Sequence, residues 1–295
     1  MNKVFVLRPA SEIYLKTSFV RQFFLKKLLS NLKKVMQKNN IKFKATAKFS
    51  GLIICKTDNN EKAVSLMKKV FGLHSFSLAE AHSFSSLTDL EELFLSFVQK
   101  NLFSGDSFAL KISRNGKHDF SSHDIAVACG QKIMDKIKGL SVNLSSPDKT
   151  IFADIINKKV FLYSEKVSAG KGLPVGVEGK VGVLMQGKEP ELVSSFLMLK
   201  RGCNVFPIIK EINPEIKKNL ELLSSWNSFQ EFKPVFLSEI EKERNFLSAL
   251  ISSETREEAI KEIPLLQEQT GFVVFSPLIF FPENLFNEIL LKVNK

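Results

Sequence analysis

The hydrophobic and polar positions of the first 75 residues predict a small α+β sandwich. Residues 3–7 form an apolar run typical of a buried strand, and residues 18–38 repeat apolar side chains at helical spacing. Apolar and polar side chains alternate along residues 41–49, which predicts a strand with lysines on one face. A second strand at residues 52–56 and a helix at residues 60–71 complete the order β-α-β-β-α, so we expect a sheet covered on one side by helices.

The next block mixes strands and helices again. Its predicted elements are, in order, an extended segment at 76–84, a helix through Leu102 capped by Thr88 and Glu91, a strand at 108–113, a polar loop at 114–119, a helix from Ser122 to Gly139, a short extended segment at 142–144, and a hairpin of 151–156 with 160–163. The Gly- and Pro-containing residues 169–179 that follow are typical of a linker.

The last block alternates strand and helix. Its predicted elements are strands at 181–185, 204–209, 232–237 and 272–275, helices at 190–201, 213–226 and 282–293, and a charged helical region that Pro264 interrupts. Alternation of this kind predicts a mainly parallel sheet with helices on both faces. Four strands are few for a complete enzyme of this class. The phenylalanines near the end are interpreted as core; an exposed part of them would instead indicate a homodimer or partner surface.

The charge of the chain is concentrated near its start. The 295 residues have a net charge of +11, and residues 1–75 hold 16 Lys and Arg against 3 Asp and Glu. Residues 76–180 hold 13 against 12, and residues 181–295 hold 13 against 16. A basic field confined to one segment suits a polyanion, most often nucleic acid; an anionic membrane surface is the alternative.

Composition indicates the number of domains and the cellular compartment. The length suits two or three domains, and 44% hydrophobic residues allow real cores. We find no membrane-spanning stretch and no signal peptide. Cys55, Cys129 and Cys203 lie far apart in apolar segments, as buried reduced thiols do, so we expect a cytoplasmic protein. His118 and His123 have no cysteine or carboxylate at metal spacing, and we predict no metal site.

Several segments together resemble one family. Residues 11–16 with Arg21, residues 69–77, residues 163–166, and above all residues 172–176 followed by 179–181 are similar to the bacterial and archaeal tRNA 4-thiouridine synthetases. That family joins a ferredoxin-like domain, a THUMP domain and an ATP-pyrophosphatase (PP-loop) domain. The resemblance implies a multi-domain α/β protein with a ferredoxin-like α+β domain at 1–75, a THUMP α/β domain at 76–168, a linker at 169–179, and a reduced Rossmann-like PP-loop domain at 180–295.

The resemblance ends at the loop that binds ATP phosphate in the family. The family has Ser-Gly-Gly-Ile-Asp-Ser at this loop, and the aligned residues here are Gln186, Gly187, Lys188, Glu189, Pro190 and Glu191. Both serines are missing, and two carboxylates point toward the place of an anion. No cysteine follows Cys203, so the family's late catalytic cysteine has no counterpart. We therefore predict no catalytic residue and no cofactor, with Leu184, Met185 and Gly187 as the remnant of an inactive nucleotide site.

The resemblance also suggests which cations contact RNA. Lys16, Arg21, Lys111, Arg114 and Lys117 match basic positions of its RNA-binding domains, and the alternative is a solvated charged face. The strand residues Lys42 and Lys44 are weaker candidates, because exposed strands also use lysine to resist aggregation.

Two functions stay open. The first is a non-catalytic tRNA-binding protein that presents RNA to a separate modifying enzyme in tRNA modification, for 4-thiouridine or a related nucleotide. The second is an active tRNA-modifying enzyme of the sulfurtransferase type that uses residues which the sequence does not identify.

Overall fold

The computed structural model describes residues 3–49, 51–227 and 231–294, with residues 46–49 described by their backbone alone. The chain divides into two compact units. Unit 1 comprises the described residues of Met1–Arg8, Phe43–Asp58 and Ser75–Val167, and unit 2 those of Pro9–Lys42, Asn59–His74 and Ser168–Lys295. The segment predicted as the ferredoxin-like domain contributes to both units.

The helices and strands follow one another in this order: β1 Lys3–Pro9, α1 Ser11–Tyr14, α2 Ser18–Lys38, β2 Phe43–Phe49, β3 Leu52–Thr57, α3 Asn60–Met67, β4 Leu73–Ser83, α4 Leu87–Asn101, β5 Ser107–Asn115, α5 Ser122–Lys136, β6 Ser141–Val142, β7 Lys149–Ile156, β8 Lys159–Tyr163, β9 Val167–Ser168, β10 Lys180–Met185, α6 Glu189–Lys200, β11 Asn204–Ile209, α7 Pro214–Trp226, β12 Val235–Phe236, a 3-10 helix Leu237–Glu243, β13 Ala249–Ile251, α8 Arg256–Thr270, β14 Val274–Phe275, and α9 Glu283–Val293. No described helix is long and apolar enough to cross a membrane.

One mixed sheet organises unit 1. Within the described residues it has nine strands in the order β2-β3-β1-β4-β8-β7-β5-β6, with β9 beside β4. The β7–β8 hairpin forms as predicted, while β5 runs parallel to β7. Buried side chains of α4 and α5, among them Phe94 and Ile125, pack with Phe108, Ile151 and Leu162 in a single core. The helices therefore cover one face of the sheet.

The starts of helices α4 and α5 differ from the prediction. Ser86 caps α4 and Asp89 completes its capping box, in place of Thr88 with Glu91. Ser121 caps α5 together with Asp124, one residue before the predicted Ser122. In each helix the aspartate at the third position accepts a hydrogen bond from the cap amide. It therefore takes the place of the Glu in the usual capping motif.

Two predictions for the first 75 residues are corrected. The alternation predicted along 41–49 is interrupted, because the β2–β3 register shifts between Ala45 and Ala47. An extra residue in one strand of a pair produces such a shift in the backbone register. Helix α3 ends at Met67 instead of Phe71, and Gly72 makes the turn into β4 with φ +87°.

Unit 2 contains a parallel sheet with one strand more than predicted. Its order within the described residues is β12-β11-β10-β13-β14, and each neighbouring pair is parallel. Strand β13 was not predicted; it lies in the charged region between two predicted strands. Strand β12 is shorter than predicted, and α8 continues through Pro264 instead of being interrupted there.

The segment predicted as a linker is packed within unit 2. Val175 is buried in the core of the parallel sheet, and its carbonyl accepts a hydrogen bond of 3.0 Å from Asn31 Nδ2. The N–H groups of Gly176 and Val177 both donate to Gly202 O. The glycine- and proline-rich composition therefore serves tight turns and close contacts.

The predicted burial of the late phenylalanines is partly wrong. Phe272 is buried, but Phe280 is 79% exposed and Phe275 is 39% exposed. Strand β14 is the edge strand of its sheet, so its outward side chains have no neighbouring strand among the described residues.

Candidate functional site

The face of the unit 1 sheet opposite α4 and α5 carries cations above aromatic rings. Lys111 is in register with Phe152, and Phe152 with Tyr163, so these side chains share one face. The rings of Phe152 and Tyr163 stack at 5.3 Å between centroids. Lys166 Nζ lies 4.2 Å from the centroid of the Phe152 ring. Exposed Lys111 and half-buried Phe152 therefore form a basic and aromatic surface, which suits an anionic partner with stacking groups.

Arg8 extends this surface through an ion pair with Asp154. Arg8 Nη2 donates to Asp154 Oδ2 at 2.7 Å, and Nη1 donates to Ser77 Oγ at 3.1 Å. The Tyr163 hydroxyl donates to the same Asp154 oxygen at 2.9 Å. Burial, and then the Asp154 charge, raise the pKa of Tyr163 well above its ordinary value, so the hydroxyl stays a donor.

A cavity of about 280 Å³ opens beside this ion pair. It is lined at the ends of β5 and β7 by Ser113, Asn115 and Asp154, together with Arg8 and Lys166. Burial, followed by the charge of Arg8, lowers the pKa of Lys166, as expected for cations that lie close together. Neither Arg8 nor Lys166 was predicted as a site residue, although Lys166 belongs to one of the segments that carried the family resemblance.

Arg114 lies near the end of strand β5, not in the predicted loop. Its side chain is on the opposite face of the sheet from that of Lys111. It is in register with Ile155, which belongs to the helix-covered core. Arg114 Nη1 donates to His118 Nδ1 at 3.1 Å, and His118 Nε2–H donates to Asn157 O at 2.6 Å, an arrangement that fixes a neutral tautomer. Arg114 therefore holds the loop after β5 in place, and exposed Lys117 lies on that loop.

Arg21 of unit 2 has a comparable role. Its Nη2 donates to Tyr14 O and to Lys16 O, both at 3.1 Å, which ties α2 to the short helix before it. Lys16 is half-buried, with Nζ 5.8 Å from the centroid of the Phe24 ring. Lys42 in unit 2 and Lys44 in unit 1 are exposed.

The turn between β10 and α6 is the predicted remnant of a nucleotide site. Gly187 has φ +105°, and a side chain there would meet Glu215 Cβ at 2.6 Å, so the turn requires glycine. The amides of Gln186, Gly187 and Lys188 converge on one point, as amides do in phosphate-binding turns.

The carboxylate of Glu191 occupies that point. Gln186 N–H donates to both of its oxygens at 2.9 Å, Gly187 N–H donates at 2.8 Å, and Lys188 N–H donates at 3.0 Å. The side chain of Glu191 is almost fully buried, at 4% exposed. The sequence predicted that this carboxylate would face a bound anion, but the carboxylate is itself the anion that the amides hold. Its position at the third residue of α6 lets it fold back over the turn.

Burial sets the electrostatics of this turn. Burial raises the pKa of Glu191, and the three amide hydrogen bonds and Lys188 oppose the rise. Asn213 Nδ2 donates to Gln186 O and Asn219 Nδ2 donates to Lys188 O, so α7 also holds the turn in place. A phosphate would have to displace Glu191 and leave a buried carboxylate unpaired. All three amides are thus bonded to Glu191.

The cysteines are poor nucleophiles. All three are buried and free of disulfides. Burial raises the pKa of Cys203 to about 11 and of Cys129 to about 12, and it raises that of Cys55 still further. Thiols with such pKa values stay protonated at neutral pH. No group of three or more His, Cys, Asp or Glu residues in the described part of the chain could hold a metal ion.

Two family models match the chain. Residues 4–77 match the ThiI ferredoxin-like domain, and residues 84–165 match the THUMP domain. Among curated proteins, the tRNA sulfurtransferase of Blochmanniella pennsylvanica is 26% identical over 98% of this chain and 68% of its own. Across four such relatives, the chain spans about one half to two thirds of their length.

Two solved structures share the fold over almost the whole chain. The crystal structure of PH1313 from Pyrococcus horikoshii matches with a TM-score of 0.86 at 23% identity, covering 99% of this chain and 100% of that one. A 4-thiouridine synthetase solved with RNA and bound ATP matches with a TM-score of 0.79 at 19% identity, over 99% of this chain and 84% of that one. The chain therefore contains a region that matches the ThiI ferredoxin-like domain followed by one that matches the THUMP domain, and it is similar to tRNA sulfurtransferases.

Proposed function

We propose that this protein binds tRNA and presents it for modification without using ATP itself. The carboxylate of Glu191 in the turn after β10 is the observation that carries the non-catalytic part. In a working PP-loop, those amides hold ATP phosphate; here they hold a side chain of the same protein. A separate tRNA-modifying enzyme would then perform the chemistry.

The basic surfaces support the RNA-binding part. On unit 1 we assign phosphate contact to Lys111, Lys117 and Lys44, and we add Arg8 and Lys166 because they line the cavity beside the Arg8–Asp154 ion pair. Exposed ammonium groups reach phosphate without losing an internal partner, so they contribute a salt-dependent affinity that is independent of sequence.

The remaining candidates include two arginines that also hold neighbouring parts of the protein in position. Arg114 and Arg21 each donate to internal acceptors, so we assign them to RNA contact through their other N–H groups and to positioning of the neighbouring Lys117 and Lys16. Lys42 is assigned to the same RNA surface of unit 2. The domain boundaries 1–75, 76–168 and 180–295 stay part of the proposal.

The alternative function is an active tRNA-modifying enzyme of the sulfurtransferase type. The name of the relative from Blochmanniella pennsylvanica favours it, as does the fold shared with an ATP-bound synthetase. This function needs a phosphate site that Glu191 vacates and a nucleophile other than the three buried cysteines.

One measurement tests the tRNA binding that both functions require, and a second separates the two functions. In a gel shift over a salt series, folded tRNA should bind more tightly than duplex DNA of equal charge; equal affinities would contradict specific tRNA binding. With tRNA present, the protein should release neither AMP nor pyrophosphate from ATP, and calorimetry at about millimolar ATP should show no binding. Pyrophosphate release that depends on tRNA would establish the enzyme instead.

A loop exchange gives a sharper test of the alternative. Restoring the family loop by Gln186→Ser, Lys188→Gly, Glu189→Ile, Pro190→Asp and Glu191→Ser frees the turn for phosphate. We expect ATP binding to appear without sulfur transfer, because no cysteine follows Cys203. Sulfur transfer by this variant would show that the chain retains a catalytic group.

A further inference from the structure

The parallel sheet of unit 2 has an open cavity at the place where such sheets bind ligands. It measures about 250 Å³ and lies beyond the carboxyl ends of β10, β11 and β13. Helices α6 and α7 lead the chain from β10 towards one edge of the sheet, while β13 lies on the other side of β10. The strand order therefore reverses between β10 and β13, and open α/β sheets bind ligands in the crevice at such a point.

The walls of this cavity are partly apolar and partly polar, and its charged residues are mostly acidic. Met185, Ile208 and Leu266 line it, and the charged side chains around it are Glu191, Glu254 and Glu262 against Lys210. Glu191 is already satisfied by the amides of the turn after β10. The unmatched charge at the cavity is therefore negative, on a protein whose net charge is +11.

Glu254, just before α8, lies close to the carboxylates of Glu258 and Glu262 on that helix. Burial, and then a hydrogen bond with Glu258, raise the pKa of Glu254, while Lys188 opposes the rise. Thr255 Oγ1 donates to Glu258 Oε2 at 3.1 Å. Like charges this close favour the arrival of a cation.

A second observation points to a ligand. Ser253 lines the cavity directly after β13, is 8% exposed, and has a buried Oγ without a hydrogen-bond partner among the residues that the structure describes. A buried hydroxyl without a partner is costly, so a ligand that hydrogen-bonds to it is favoured. Neighbouring Ser252 and Ser276 differ, since Ser252 Oγ accepts from Glu254 N–H and Ser276 Oγ donates to Glu254 O.

We propose that this cavity binds a small organic cation, an aliphatic amine, between its apolar walls and the carboxylates of Glu254 and Glu262. The amine carbons would lie against Met185, Ile208 and Leu266, one ammonium would donate to Glu262, and the hydroxyl of Ser253 would accept a hydrogen bond from the ligand. A volume of about 250 Å³ lies below the ~300–1,000 Å³ of pockets for larger ligands, so the ligand is smaller than a nucleotide.

The test is calorimetry of the whole protein with 1,4-diaminobutane, with 1,4-butanediol as its uncharged counterpart and sodium chloride to match ionic strength. We expect the diamine to bind with a Kd on the order of 1 mM and the diol to bind at least ~10-fold more weakly. Because the protein has a positive net charge, nonspecific binding of the positively charged diamine to its surface is disfavoured.

Three variants locate the site. Glu262→Gln should weaken the diamine about 5-fold, since it removes one charge-assisted hydrogen bond at an exposed rim. Glu257→Gln is the matched control, because Glu257 lies on the same helix, is exposed, and does not line the cavity; it should bind as wild type. Ser253→Ala should weaken the diamine about 2- to 3-fold without lowering stability, because it removes a hydroxyl that has no internal partner.

Each other outcome overturns the proposal. These outcomes are no binding of the diamine, equal binding of the diol, or an equal loss in Glu262→Gln and Glu257→Gln. Displacement of the diamine by ATP would overturn this proposal. It would also overturn the proposal that the protein does not use ATP. Failure of the diamine alone leaves the proposed tRNA binding intact, since that rests on other residues.

Discussion

The two units each have a cavity at the carboxyl ends of parallel strands, and the two cavities carry opposite charge. In unit 1 the cavity at the ends of β5 and β7 is lined by Arg8 and Lys166. In unit 2 the cavity at the ends of β10, β11 and β13 is lined by Glu254 and Glu262. Similar backbone geometry thus offers one site for an anion and another that repels it, because side chains decide what such a site binds.

A second contrast concerns carboxylates at the third position of a helix. Asp89 of α4 accepts hydrogen bonds from the Ser85 hydroxyl, the Ser85 amide and the Ser86 amide, and these bonds lower its pKa to about 2. Glu191 of α6 accepts three amides, yet burial raises its pKa. The same hydrogen-bonding role therefore has opposite titration behaviour in solvent and in a buried turn.

The largest expected effect tests the cationic cavity. Asp154→Ala removes the partner of Arg8 and leaves a mostly buried guanidinium without its carboxylate. We expect a loss of about 2–4 kcal/mol in the free energy of unfolding, measured by urea denaturation followed by far-ultraviolet circular dichroism. Asp135→Ala, an exposed aspartate in the same unit, should cost less than about 0.5 kcal/mol. Equal losses in both variants would mean that the ion pair contributes nothing specific.

The next effect tests the self-occupied turn. Glu191→Ala leaves three amides without an acceptor, and we expect a loss of about 1.5–3 kcal/mol in urea, with Trp226, the single tryptophan of the chain, as the fluorescent reporter. Glu189→Ala changes the exposed carboxylate two residues earlier and should stay within about 0.5 kcal/mol.

Sulfate sharpens this test. Added sulfate stabilises most proteins by exclusion from their surfaces, so the relevant quantity is the additional gain of one variant over another. Glu191→Ala should gain more stability than Glu189→Ala, because its emptied amides can accept the anion. Equal gains would show that the turn does not bind anions once Glu191 is removed.

A smaller effect concerns affinity for RNA. Lys111→Ala, Lys117→Ala and Arg114→Ala should each weaken tRNA binding by about 0.5–1.5 kcal/mol, and the lysine variants should also lower the slope of affinity against salt. Lys233→Ala is the control, because Lys233 lies on unit 2 with its side chain 86% exposed beside Glu231. An unchanged affinity in the Arg114→Ala, Lys117→Ala double variant would exclude this loop from the RNA surface.

The sequence predicted the fold class well because long periodic segments dominate it. Helix α2 and the β7–β8 hairpin lie close to their predicted bounds, and the family segments identified both matched domains. Strand β13 was missed because three apolar residues between charged segments form a strand only when β10 supplies the hydrogen bonds. Local pattern cannot report such tertiary support.

The sequence showed which family residues are absent from the loop at 186–191, but not which group its amides bind. The missing serines of the loop at 186–191 were visible in the sequence, and Glu191 was interpreted as a repelling charge. Its real position depends on a carboxylate reaching back three residues while α7 holds the turn through Asn213 and Asn219. Arg8 was overlooked for a similar reason, because its partner Asp154 lies 146 residues away in the chain.

The smallest expected effect is the pH dependence of the two helix-start carboxylates. The pKa of Asp89 is lower in the folded protein, so its contribution is present above the ordinary aspartate value and is lost as the pH falls toward about 2. The pKa of Glu191 is higher in the folded protein, so folding takes up a proton between the ordinary and raised values, and acidification through that window favours the folded state through this residue. The stability difference between wild type and Asp89→Asn should therefore shrink in acid. The difference between wild type and Glu191→Gln should instead move in favour of wild type as the pH falls through the window above the ordinary glutamate value. Urea midpoints of the three proteins over a pH series measure both trends, and parallel trends would show that burial does not distinguish the two carboxylates.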